Sequence, residues 1–134
     1  MILQIASFHD LGLQPEAFYH GFLLGCLAYL HQTNYGSVLS NRESGHGRYD
    51  IALMPHDPTE LAIILELKQV QTSSAAKRQS QLTAAARKAL TQIDIQCYDA
   101  ALRQAGIQRI CKIGVAFSGK YLNIQHMIER HSLA

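Results

Sequence analysis

The segment RYDIALMPHDPTELAIILELK (48–68) decides the fold. Arg48 to Met54 and Leu61 to Lys68 are two short apolar runs. The PHDPTE between them places two prolines and Asp57 where a chain must turn. Runs so divided predict an antiparallel hairpin. LAIILEL is apolar on both parities, the pattern of a strand covered on both faces in the middle of an α/β sheet. Strand side chains alternate, so Glu66 and Lys68 share a face. A turn centred near Pro58 sets Asp50 opposite Glu66, and opposed residues lie about 5 Å apart on one face.

Working outward from the hairpin, Tyr35 to Asn41 reads as a preceding strand. Before it, Pro15 suits the first turn of a helix that runs to about His31, with Phe18, Phe22, Leu23, Leu27 and Leu30 at helical spacing. Ile2 to Phe8 fits either a short strand or a lead-in. After the hairpin, 69–76 reads as a polar loop, and Ala75 to Ala105 as helix with a bend or boundary at Thr91. Gly106 is a C-terminal stop. Arg109 to Phe117 (RICKIGVAF) reads as a second buried strand, reached through the helix and therefore able to lie parallel to its neighbour. Ser118 and Gly119 turn the chain into a short strand, Tyr121 to Ile124, and the tail from His126 is expected to be a frayed helix. The predicted order is α-β-β-β-α-β.

The composition bounds the function. The 134 residues fit one domain, 1–134, with 48% hydrophobic and 16% charged residues, which excludes a disordered tail. A net charge of +2 excludes a bulk-basic binder but not a local basic patch. Three cysteines, Cys26, Cys97 and Cys111, form no CxxC, so neither a disulfide framework nor a zinc knuckle is expected. No apolar run reaches membrane-span length, and MILQIASFHD lacks the features of a secretory leader. The expected location is the cytoplasm, with no membrane contact. Oligomeric state is not legible.

Two carboxylates and an ammonium converging at one strand end need a reason, because like charges so close destabilise each other without a cation between them. Lys68 is one such cation. A hard divalent ion, Mg²⁺ or Mn²⁺, fits oxygen ligands from two carboxylates and a backbone carbonyl better. That combination suits phosphodiester hydrolysis, with Lys68 serving the attacking water or the developing charge. The plain alternative is a solvated strand end carrying an ion pair worth little in stability.

The arrangement resembles the PD-(D/E)XK nuclease superfamily, whose motif is an acid on the second core strand and (D/E)-x-K on the third. The segments that carry the likeness are EAFYHGFLLG (16–25), SNRESGHGRYDIAL (40–53), IILELK (63–68), ALTQI with Tyr98 following, and GVAFSGK (114–120). They are closest to the bacterial branch often found behind an AAA-ATPase-like domain. The resemblance implies a three-layer, restriction-endonuclease-like α/β core with a mixed sheet. It implies Asp50, Glu66 and the Leu67 carbonyl as metal ligands and Lys68 as the catalytic lysine. Glu16 matches a helical acid that joins the metal site, and Gln92 a helical glutamine beside it. The implied substrate is nucleic acid, DNA in the first instance, with an AAA-ATPase-like domain as a partner. Tyr49 stands where the motif's proline would be, and Tyr98 follows Gln92 by six residues rather than four. The alternative is a nuclease-fold module that binds nucleic acid or the ATPase-like partner without cutting.

Around that centre the basic residues divide. Arg48, in SGHGRYD, is placed either to contact a phosphate or to pair with Glu43. No acid lies between Leu67 and Ile93, whereas Lys68, Lys77, Arg78, Arg87 and Lys88 do. Lys77 and Arg78 are the nucleic-acid candidates. Arg87 and Lys88 read as a solvated helix face.

Overall fold

The computed structural model describes residues 35–44, 47–72, 74–96, 99–119 and 121–130, with side chains from Ile51 onward. The helix expected from Pro15 to His31, including Glu16, and the SGH segment containing His46 fall outside these residues, wholly or in part. Five strands form one sheet in the order β1-β2-β3-β4-β5: Tyr35–Ser44, Gly47–Pro55, Leu61–Gln69, Arg109–Ser118 and Tyr121–Arg130. Two helices, α1 (Ala75–Ile95) and α2 (Ala100–Gln104), connect β3 to β4.

The sheet is mixed. β1–β2, β2–β3 and β4–β5 are antiparallel, and β3–β4 is parallel, with Leu61 level with Arg109. The parallel step follows from the long helical connection, which returns the chain to the starting edge of β3. The turn after β2 is built by Asp57, whose Oδ1 accepts from the Thr59 amide (2.9 Å) and hydroxyl (2.8 Å), while its carbonyl accepts from the Glu60 amide (2.9 Å).

β3 is central, and its two faces are both buried. Ala52, Ala62, Ile64 and Ile110 pack with Ile93, Leu102 and Ile107 on the helical face. Ile51, Leu53, Leu65, Leu67, Val115 and Phe117, of opposite parity, are also buried. The apolar runs of β3 and β4 are thereby explained. Helix α1 buries Leu82, Ala86, Ala89 and Ile93, spaced three or four apart. It approaches β4 most closely at Gly114. A Cβ there would lie 2.2 Å from the Ala86 carbonyl oxygen and 2.8 Å from the Leu90 nitrogen. Glycine in the strand and alanines on the helix are what allow this approach.

Three sequence expectations need correction. The segment from His126 to Arg130 is strand, not helix. Two residues, 119 and 120, separate β4 from β5, so the ladder runs one-to-one from Ser118↔Tyr121 to Arg109↔Arg130. A ten-residue β4 therefore recruits all ten residues of β5, well past Ile124. Gly119 takes φ +57°, as tight hairpins demand. Thr91 is neither bend nor boundary. Its hydroxyl donates back to the Arg87 carbonyl (3.0 Å) inside a continuous α1. The helical stretch instead breaks between Ile95 and Ala100. Gly106 does stop the second helix, at φ +86°, with its amide donating to the Arg103 carbonyl (3.0 Å).

Candidate active site

Glu66 lies on the helical face of β3 and is only 4% exposed. A carboxylate so buried requires partners. Gln92, on α1, donates from Nε2 to Glu66 Oε1 at 2.7 Å. Lys68 Nζ stands 3.6 Å from the same oxygen, with its side chain 32% exposed. The two strand residues share a face because they are two apart, and Gln92 reaches Glu66 because α1 is drawn down onto Gly114. Gly114 is level with Glu66 in the parallel β3–β4 ladder. Close helix packing and a held carboxylate are thus one feature of the sequence.

The hairpin register bears on the second acid. Ile51 pairs with Leu65, Ala52 with Ile64 and Leu53 with Ile63. Each pair straddles Pro58 symmetrically. The recorded pairs end there; the same symmetry carried one step further would set position 50 level with position 66. Asp50 is a residue of β2, and its side chain lies outside those the structure describes. The same holds for Arg48, whose backbone is level with Glu43 in the β1–β2 ladder.

The structure therefore brings Glu66, Lys68 and Gln92 together. Leu67, between the first two, is buried, its side chain on the opposite face. Lys77 is exposed and Arg78 half-buried in the first turn of α1. Arg87 and Lys88 are exposed, as a solvated helix face requires. Among the described residues, no three His, Cys, Asp or Glu side chains converge as a metal cage. Two of the three acids expected at the site, Asp50 and Glu16, have side chains outside that set.

The sequence profile of the PD-(D/E)XK nuclease superfamily matches residues 14–127. The chain belongs to that superfamily. No curated protein matches it. Membership implies nuclease-type function on nucleic acid. The superfamily consists in general of hydrolytic nucleases, which typically use divalent metals. No helix among the described residues is long and apolar enough to cross a membrane.

Two features of this superfamily member were not read from the sequence. The first is a charge cluster around Lys112, which is 2% exposed. Its Nζ donates to Asp94 Oδ1 (2.5 Å) and Glu129 Oε2 (2.9 Å), and lies 3.5 Å from Asp99 Oδ2. Arg103 bonds both Asp99 and Glu129. Burial alone would lower the Lys112 pKa. The bonds to Asp94 and Glu129 and the charges of Asp99 and Asp94 outweigh it, and the pKa ends above its ordinary value. The signal was present: a lone lysine inside RICKIGVAF cannot be buried without counter-charges. The second is Arg78, whose guanidinium lies 4.0 Å from the centre of the Tyr121 ring.

Proposed function

We propose that this chain is a metal-dependent nuclease, a single domain over 1–134 that hydrolyses phosphodiester bonds in nucleic acid, with DNA as its expected substrate. The observation that carries the reading is Glu66: a buried carboxylate, fixed by Gln92, beside Lys68, in a hairpin paired up to Ile51↔Leu65, one step from Asp50. Burying such a group on a sheet costs stability unless its partners offset the cost, and here they are a neutral amide and a partly solvated ammonium.

The donor set is chemically suited to a hard divalent ion. Asp50, Glu66, the Leu67 carbonyl and Glu16 all offer oxygen, and none offers sulfur or imidazole. Mg²⁺ or Mn²⁺ held there would supply Lewis-acid stabilisation of the phosphoryl group and acidify the attacking water. The rest is the work of the chain itself. Gln92 is neutral, so it orients Glu66 without cancelling its charge. Lys68 keeps its ammonium within reach of Glu66 and partly in solvent, where it can hydrogen-bond the attacking water or a phosphate oxygen. Lys77 and Arg78, together with Arg48, offer cations for the flanking phosphates. The three-layer architecture, the α-β-β-β-α-β order, a cytoplasmic location and an AAA-ATPase-like partner rest on the resemblance and the sequence pattern.

The test is cleavage of labelled single- and double-stranded DNA with Mg²⁺ or Mn²⁺, by wild type and Lys68→Ala purified in parallel. The proposal expects metal-dependent cutting by wild type and a loss of at least about 100-fold in the variant. Equal cutting by both would place any activity elsewhere. No cleavage by wild type under either metal, with DNA binding that survives Asp50→Ala, would assign the chain as a silent binding module.

A further inference from the structure

Tyr121 begins β5 beside the β4–β5 turn, paired with Ser118. It is 55% exposed, although Arg78 covers one face of its ring. An aromatic ring has two faces. With one occupied, the exposed area belongs to the other face and the edge. Burying such a ring is favourable, and leaving it open beside a cation forgoes that gain.

Its position is informative. Ser118 shares strand parity with Gly114 and Ala116, which meet α1, so Tyr121 lies on the same sheet face as Glu66 and Lys68. Lys68 is level with Ala116, and Tyr121 with Ser118. Tyr121 is thus two strands across, at about 4.8 Å each, and two residues along, at about 3.3 Å each, or about 12 Å from Lys68. Leu82 and Ala86 of α1 pack on Ala116 between the two, so a nucleic-acid strand linking them would pass round the N-terminal end of α1.

The first turn of α1 adds an independent observation. It contains no acidic residue and carries Lys77 and Arg78. A helix N-terminus favours acids and opposes cations. Two cations placed against the macrodipole, one braced on an exposed tyrosine, are a local cost that an anionic ligand would reverse.

We propose that the open face of Tyr121, backed by Arg78, is a stacking platform for an unpaired base of single-stranded nucleic acid, with Lys77 and Arg78 facing the adjoining phosphates. Stacking on tyrosine is tolerant of sequence, because every base has a π face. The guanidinium holds the ring from behind and adds cation–π attraction. A base inside a duplex is already stacked on its neighbours and cannot use the platform. The inference rests on the nuclease reading, and its effect is a preference for single-stranded substrate or for frayed ends.

The experiment is fluorescence anisotropy of a labelled 15-nucleotide thymidine oligomer, and of a duplex of equal length, with the full chain in EDTA. Wild type, Tyr121→Phe and Tyr121→Ala are compared, with folding checked by circular dichroism. Tyr121→Ala is expected to weaken single-strand binding roughly 5- to 100-fold. Tyr121→Phe should restore it, and duplex binding should change by less than about twofold. Unchanged single-strand affinity in Tyr121→Ala overturns the platform, as does a Phe variant as weak as the Ala one. Equal losses on duplex and single strand overturn it too. Cleavage without Tyr121-dependent binding sinks this inference alone. Tyr121-dependent binding with no cleavage under Mg²⁺ or Mn²⁺ sinks the nuclease reading and leaves the platform standing.

Discussion

Two buried charges sit under the same helix on neighbouring strands, and they are treated differently. Lys112 on β4 is enclosed by three carboxylates drawn from α1, the α1–α2 junction and β5. Arg103, on α2, joins two of these carboxylates, Asp99 and Glu129, so the cluster ties five parts of the chain together. Glu66 on β3 is met by the neutral amide of Gln92 and by an ammonium 3.6 Å away and partly in solvent. The first arrangement cancels charge and locks the fold. The second holds a charge in position. A buried ionised group is therefore not in itself a functional signal; the nature of its partners makes the distinction.

The largest test of this contrast is Glu66→Gln. Cleavage should fall by more than about 100-fold, while stability in urea holds or rises by up to about 1 kcal/mol, as when a strained functional group is neutralised. Next is Lys112→Met. Removing one partner of a buried network typically costs about 3–5 kcal/mol. Asp94 and Glu129 are partly solvated, so the loss should be near the lower figure, about 3 kcal/mol, with cleavage per folded molecule unchanged. If the two substitutions exchanged effects, the division into lock and site would be wrong.

Gly114→Ala should cost about 1–3 kcal/mol, because its methyl would press on the α1 backbone at Ala86 and Leu90. Displacing α1 also moves Gln92 from Glu66, so cleavage should drop as well. A stable, fully active Gly114→Ala would separate helix packing from the site.

The Lys112 pKa is raised in the folded state. Its contribution is therefore complete below the unfolded-state value of about 10.4 and is lost as pH climbs through the folded one. Unfolding followed upward from about pH 9 should show destabilisation of wild type that sets in above about pH 10.4, and less of it in Lys112→Met. Burial raises the Cys111 thiol pKa, which adds destabilisation of the same sign in both proteins. The smallest effect is at the hairpin turn. Hydrogen bonds from the Thr59 amide and hydroxyl lower the Asp57 pKa, so its support is present at neutral pH and fades as acid protonates it. Asp57→Ala should show a slight loss at pH 7 that vanishes under acid.

The hairpin, the central strand and its parallel neighbour were legible because each rests on a local rule. Prolines and Asp57 fix the turn, two-sided apolarity marks β3 and β4, and a long helical crossover dictates the parallel step. The end of β5 was not legible. YLNIQHMIER has no strict alternation and leaves Leu122, Ile124, Met127 and Ile128 exposed. Its conformation comes from the β4 ladder rather than from its own residues. The helix break after Ile95 was also hidden, since Ala-rich sequence continues on both sides of it. At the site, the nearness of Glu66 and Lys68 follows from alternation alone. Gln92 came from family likeness, and its bond to Glu66 depends on how closely α1 meets Gly114, which no local pattern encodes.

The central claim is that Asp50 and Glu66 share one divalent cation. The direct measurement is a crystal grown with Mn²⁺, with anomalous scattering recorded near the manganese edge, for wild type and Glu66→Gln. The account predicts a single strong peak within coordination distance of both carboxylates and the Leu67 carbonyl in wild type, absent or much weaker in the variant. A wild-type map with no peak between these residues, or one equally strong in Glu66→Gln, would contradict it.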